Sequence, residues 1–195
     1  MKREKKEEKI LSAALKHFSR FGYRKTSLEG VARDCDMTTG NIYFYVKNKE
    51  ELYIKAVSSA LLKWQAHAAQ TIASCDDIHE KFRLMATASF DYVINDEELR
   101  SLLQQDPDIY TISPRDDRFR DINIASVQIV KSVLQEGIAA GTFQHDMDLD
   151  GTADFIWSVY VMFLIRAYHK NEETENIRRI YHRGVEVILR GLLTC

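Results

Sequence analysis

The run TTGNIYFYVKNK, residues 38–49, holds side chains suited to reading a nucleic-acid surface. Asn41 carries a donor and an acceptor side by side, the pair that matches adenine, and the Thr39 methyl fits against a thymine methyl. Tyr45 adds a ring with a hydroxyl. Gly40 lies between them with no side chain, so the backbone can approach a groove closely. Lys47 adds positive charge. Just upstream, Thr26 and Ser27 are placed to cap a helix whose first amides can face a phosphate. Thr39, Gly40, Asn41 and Tyr45 are therefore candidates for base reading, and Thr26, Ser27 and Lys47 for phosphate contact.

These residues need two short helices and a tight turn to hold them. Thr26 and Glu29 have capping-box spacing, which predicts a helix start. Leu28, Val31, Ala32 and Cys35 follow at i, i+3, i+4 and i+7 and give that helix one apolar face. Asp36-Met37 makes the turn, and Thr38 is placed to cap the next helix, with Ile42 and Val46 facing inward. Asn48 and Glu51 open a further helix that carries Leu52, Ala56, Ser59, Ala60 and Lys63 and meets no linker signal. Ahead of all this, a helix from about Lys5 to Arg20 presents Ile10, Leu11, Ala14, Leu15, Phe18 and Phe21 as a buried stripe, and Gly22 stops it. The layout is that of a helix-turn-helix, whose second helix enters the DNA major groove.

The charge distribution agrees. Net charge is −2 for the 195 residues, but residues 1–50 hold 12 Lys+Arg against 7 Asp+Glu, and the remainder 15 against 22. The basic portion coincides with the helix-turn-helix. The opening cluster of Lys2, Arg3, Lys5, Lys6 and Lys9 is interleaved with Glu4, Glu7 and Glu8, which suits a solvated helix face better than a flexible phosphate-binding arm. Cys35, Cys75 and Cys195 are odd in number and widely spaced, as reduced thiols are. No signal-peptide pattern is present, and the apolar run Phe155–Ile165 is too short to span a bilayer, so a cytoplasmic location and no membrane partner are expected. His145 and Asp148 do not make an expected metal site. No nucleophile-base pair or phosphate loop is visible. Neither enzymatic activity nor a cofactor is expected.

Beyond residue 64 the pattern stays helical: about 77–95, 97–105, 116–140, 153–168 and a final helix carrying Ile177, Ile180, Tyr181, Gly184, Val185, Ile188, Leu189 and Leu192. Pro107 and Pro114 fall in the least regular stretch. Residues 153–168 are apolar nearly all round and need cover on more than one side. Trp157, Tyr160, Leu164, Tyr181, Gly184, Val185 and Ile188 are the candidates for pairing with a second subunit across a two-fold axis; filling the core of one domain is the other account.

The ordered series Phe18, Gly22, Tyr23, Thr26, Ser27, Val31, Ala32, Gly40, Ile42, Tyr43, Tyr45, Val46, Asn48, Lys49, Glu50 and Leu52 resembles the DNA-binding domain of the TetR family of transcriptional repressors. The likeness covers residues 4–64. It departs at Asp36-Met37, where the family has Gly then Val, and at Val46, where Phe is commoner; Asp tolerates the left-handed backbone such a turn needs. The resemblance implies an all-α fold: a three-helix DNA-binding domain at 4–64 joined to a helical ligand-binding and dimerisation domain at 65–195. It assigns phosphate contact to Thr38, Tyr43 and Lys49. It implies a homodimeric repressor that binds a double-stranded operator and is released by a small hydrophobic or amphipathic ligand. An activator, or a regulator controlled by a partner, is the alternative. Trp64, His67, Phe82, Met85, Phe90, Tyr110 and Trp157 are the candidate pocket residues, with His67 or Tyr92 as polar handles.

Overall fold

The computed structural model describes residues 2–110, 117–168 and 173–194. Pro114, Cys195 and the expected helix start at Asp116 lie outside them, as does the side chain of Lys2. Nine α-helices occur among the described residues: α1 Lys2–Lys25, α2 Leu28–Asp34, α3 Thr39–Ile42, α4 Lys49–Ala73, α5 Ile78–Asn95, α6 Glu97–Gln105, α7 Arg120–Ala139, α8 Leu149–Tyr168 and α9 Thr174–Leu192. A 3-10 turn at Pro107–Ile109 follows α6. An isolated antiparallel bridge, Phe143 to Leu193, accompanies the helices. None of the described helices is long and apolar enough to cross a membrane.

The chain packs as two compact units. The first takes residues 1–62 and 96–118, and the second takes 63–95 and 119–195. The first unit is thus larger than the 4–64 span expected from sequence, because α6 packs along α1. Leu99, Leu102 and Leu103 of α6 are buried with Ile10, Ala14 and Phe18 of α1. Tyr110, expected to line a pocket in the second domain, is buried in this first unit instead.

Within the first unit the α1 stripe runs Ile10, Ala14, Phe18, one turn apart, with Leu11 and Leu15 at its margin. Phe21 leaves it at 43% exposure, held between His17 and the Arg20 guanidinium 5.2 Å above its ring. The expected stop is a break: Gly22 has φ 75° and ψ 168°, which a residue with a Cβ rarely adopts. Tyr53 of α4 packs edge-on against Phe18 at 4.9 Å. Its hydroxyl donates to the Asp106 carboxylate, which also accepts from Arg118 at 2.7 Å. Burial and that carboxylate push the Tyr53 phenol far above its usual range, so it stays a donor. The buried row of α4 runs through Leu52, Ala56, Val57 and Leu61 to Trp64 and Ala68. Lys63 continues the helix as expected, on its exposed side.

The second unit packs α5 against α7, α8 and α9. Arg83 on α5 grips Glu186 on α9 with bonds of 2.6 and 3.1 Å, and Arg178 on α9 grips Asp91 with two of 2.8 Å. These forks set the register of α5 on α9. On α8 the apolar surface divides: Ala153, Ile156, Tyr160 and Leu164 are buried, whereas Phe155 and Met162 are exposed.

At the end of α7, Gly137 lies under the Phe143 ring, and a Cβ there would come within 2.0 Å of it. Gly137 O also accepts from the Thr142 and Phe143 amides at 3.0 Å, which folds the ring back onto the helix. Gly137→Ala should therefore lower stability by about 1–3 kcal/mol despite the better helix propensity of alanine. Urea unfolding checks this; a rise in midpoint would show that the ring has room to move.

Candidate nucleic-acid interface

Ser27, not Thr26, caps α2. Its Oγ accepts from Gly30 N at 3.1 Å. Thr26 is 4% exposed, and its hydroxyl donates to Gly22 O at 2.9 Å. The capping box expected at Thr26 and Glu29 is absent, because Thr26 repairs the broken end of α1 instead. With its amide also directed at Gly22 O, Thr26 has no donor left for a phosphate. Ser27 is exposed; its capping oxygen uses a lone pair and leaves the O–H to donate outward.

Asp36 makes the turn with φ 57°, the one described non-glycine residue with positive φ. Lys9 of α1 fixes it, donating to Cys35 O at 3.0 Å and to the Asp36 carboxylate at 3.1 Å. Lys9 therefore serves the turn and is not a flexible phosphate contact. Cys35 is buried beneath, its thiol raised by desolvation. Thr38 then caps α3, accepting from Asn41 N at 3.3 Å. Ile42 and Val46 point inward as their spacing predicts, at 0% and 3% exposure.

The outer surface of α3 and the turn after it present Thr38, Gly40 and Asn41 exposed and Thr39 and Tyr45 half-buried. Tyr43 is 55% exposed and Phe44, which the sequence reading passed over, is 76% exposed. An apolar ring held out in water beside polar base-reading groups is suited to contact with thymine methyls. Its signal was present in the register: Ile42 and Val46 face the core, and Phe44 is two residues from each.

The lysines divide. The Lys47 side chain is exposed, and among the described residues its ammonium has no hydrogen-bond partner. Lys49 donates to Arg24 O at 3.3 Å and Thr26 O at 3.1 Å, and its ammonium lies 4.6 Å from the Tyr23 ring centre. It is a clamp between the start of α2 and the start of α4, with two of its three donors committed. Asn48 and Glu51 form the expected cap of α4: Glu51 N donates to Asn48 Oδ1 at 2.8 Å, and Lys47 N to Glu51 Oε2 at 2.7 Å. That amide holds the Glu51 carboxyl below its usual range.

A concavity lies within the second unit, with a volume of about 50 Å³. Trp64, Met85 and Trp157 line it as expected, joined by Gln65, Ser126, Tyr160 and Tyr181. The other pocket candidates are elsewhere. His67 is exposed and tilts against Tyr92, and neither lines the cavity. Phe82 is core, packed edge-on to Phe143 at 6.0 Å. Phe90 stacks on Tyr181 at 4.4 Å. Of the interface candidates, Tyr160, Leu164, Tyr181 and Val185 are buried inside the unit and cannot meet a second subunit. The outward apolar rows are Phe155, Val159 and Met162 on α8 and Ile180, Gly184 and Val187 on α9, each at i, i+4, i+7. Among the described residues no His, Cys, Asp and Glu side chains gather in threes as a metal would require.

A helix-turn-helix with an exposed, capped second helix, followed by an all-helical unit, defines a two-unit DNA-binding regulator. Residues 10–56 match the bacterial regulatory proteins of the tetR family. An uncharacterized helix-turn-helix transcriptional regulator, YhgD of Bacillus subtilis (strain 168), is 24% identical over 155 residues, 80% of each chain. The fatty acid metabolism regulator protein of the same organism is 22% identical over 190 residues, 94% of this chain and 93% of that one. The transcriptional regulator FadR from Bacillus subtilis, solved in complex with stearoyl-CoA, superposes with a TM-score of 0.78 at 19% identity, covering 95% of this chain and 98% of that one. Residues 10–56 are thus similar to the DNA-binding segment of tetR-family regulators, and the chain as a whole shares the fold of that solved structure.

Lys47 and Lys49 can be separated by salt. On an operator obtained by in vitro selection, Lys47→Ala should weaken binding and reduce the slope of log affinity against log salt by about 1. Lys49→Gln should weaken binding with the slope unchanged and lower the melting temperature, because it removes a clamp and no phosphate contact. A reduced slope for Lys49→Gln would overturn the clamp assignment.

Proposed function

We propose that this chain is a homodimeric repressor that holds a partly palindromic operator and leaves it when the second unit takes up a small hydrophobic or amphipathic molecule. The observation that carries the DNA half is the capped α2-turn-α3 segment with its outer surface unburied. Residues 4–64, braced by 96–118, carry DNA contact, and 65–195 otherwise carry the ligand and dimer surfaces. Thr39, Gly40, Asn41, Tyr45 and Phe44 face the bases; Ser27, Thr38, Tyr43 and Lys47 contact phosphates. The protein acts in the cytoplasm, where the operator is.

The apolar rows on α8 and α9 support a two-fold, four-helix interface, with Gly184 leaving space for close approach. Two recognition helices then meet half-sites about 34–36 Å apart. The stearoyl-CoA held by a relative of like fold supports a ligand-taking second unit. α4 runs unbroken from Lys49 to Ala73 and provides the covalent route by which occupancy alters the spacing. The coupling required is about 1–3 kcal/mol.

Val187→Glu places a charge on a row 69% exposed in the single chain. It should give a folded monomer by sedimentation and lose operator binding by at least tenfold, since each half-site alone is weak. A dimer that persists would move the interface elsewhere. Asn41→Ala should bind selected operators with relaxed preference at one base pair, at a cost of about 1–3 kcal/mol for the cognate base. An unchanged selection profile from randomised DNA would remove Asn41 from base reading.

A further inference from the structure

The wall of the small cavity in the second unit restricts what can occupy it. Its polar side chains are almost all committed. Trp64 Nε1 donates to Ser89 O at 2.9 Å, and the Tyr160 hydroxyl to the same oxygen at 3.4 Å. The Tyr181 hydroxyl donates to Ala86 O at 3.4 Å. Ser89 Oγ donates to Met85 O at 2.8 Å, and Ser126 Oγ to Ile122 O at 3.0 Å. Each donor is spent on a backbone carbonyl.

Gln65 is the exception. Its Nε2 donates to Ile122 O at 3.2 Å and to Ser126 Oγ at 3.0 Å. A backbone carbonyl only accepts, so the atom facing Ile122 is the nitrogen and the amide oxygen points away. Among the described residues that oxygen has no donor. The lining contains no Asp, Glu, Lys, Arg or His. A charge carried inside would be desolvated without a partner, at a cost of several kcal/mol. Size sets a further limit. The volume of about 50 Å³ is below the roughly 150 Å³ of a cavity that takes benzene, so a ring must displace a wall side chain. Of the four aromatic rings in the wall, only that of Trp157 is not buried, so Trp157 is the residue free to swing.

We propose that this cavity recognises a compact, uncharged, largely apolar molecule through a single hydroxyl or N–H donated to the Gln65 amide oxygen. The inference rests on the second unit being the ligand-binding one. It adds the ligand's charge, its polarity and the group that reads it.

The chain has 2 tryptophans, Trp64 and Trp157, and both line the cavity, so indole emission reports this site alone. The full-length protein is titrated with phenol and 1-octanol, their methyl ethers, benzoate, octanoate and benzyltrimethylammonium. Saturable emission changes are expected with phenol, with 1-octanol, or with both, and the tighter of the two assigns a ring or a chain. The methyl ethers should bind about 3- to 10-fold more weakly, as loss of one hydrogen bond requires. The charged probes should bind at least tenfold more weakly than the neutral alcohols. Gln65→Met should erase the preference for hydroxyl over ether while leaving ether affinity in place. The comparison of hydroxyl with ether on the unaltered protein stands even if that variant does not fold. Equal binding of charged and neutral probes, no preference for hydroxyl, or no saturable change with either alcohol would each overturn the inference. Binding of the neutral alcohol without any loss of operator affinity would instead overturn release by ligand and leave the recognition chemistry standing.

Discussion

The placement of the α2-turn-α3 segment depends on the Lys49 ammonium. Gly22 breaks α1, and the short stretch before α2 exposes carbonyls that no helix satisfies. Lys49, at the first position of α4, takes two of them, at Arg24 and Thr26, and rests on Tyr23. One side chain thereby ties the entry of α2 to the entry of α4. Between those two fixed points lie α2, the Asp36 turn and α3. Lys55, from the next turn of α4, closes the far end by donating to Tyr45 O at 2.9 Å.

Inside that frame the recognition segment is held by small, local bonds. α3 has only four helical residues, far below the length at which a helix persists alone. Its order comes from the Thr38 cap, from Ile42 and Val46 in the core, and from the left-handed Asp36 that aims it. The cost of a non-glycine there is offset by the Lys9 ammonium, which donates to the Asp36 carboxylate and, whatever residue stands at 36, to Cys35 O.

Much of this was legible in the sequence, because helical periodicity is local. The α6 bounds, the inward pair Ile42 and Val46, the Thr38 and Asn48 caps and the turn at Asp36 followed from spacing alone. Sequence reading failed where the decisive partner is distant. Thr26 looks like a cap until Gly22 O claims its hydroxyl, and Lys49, assigned to phosphate by resemblance, spends two of its three donors on the carbonyls of Arg24 and Thr26. Tyr160 and Tyr181 belong to an apolar stripe that reads equally well as core or interface; only the packing of α5 decides. Tyr110 shows the same limit at larger scale, since nothing near it in the chain indicates which unit it joins.

The assignment of residues 96–118 to the first unit also sets the order in which the protein is completed. The first unit is discontinuous: its opening 62 residues are completed by residues 96–118, and α1 rests on α6. Synthesis proceeds from the N-terminus, so the basic, aromatic-bearing surface emerges well before the helix that braces it. Until residue 118 has left the ribosome, α1 keeps one apolar flank uncovered and the first unit exists only as an incomplete intermediate. Residues 63–95 of the second unit are by then already in the chain and 119–195 are still to come, so the first unit is closed by a helix that follows the opening third of its neighbour.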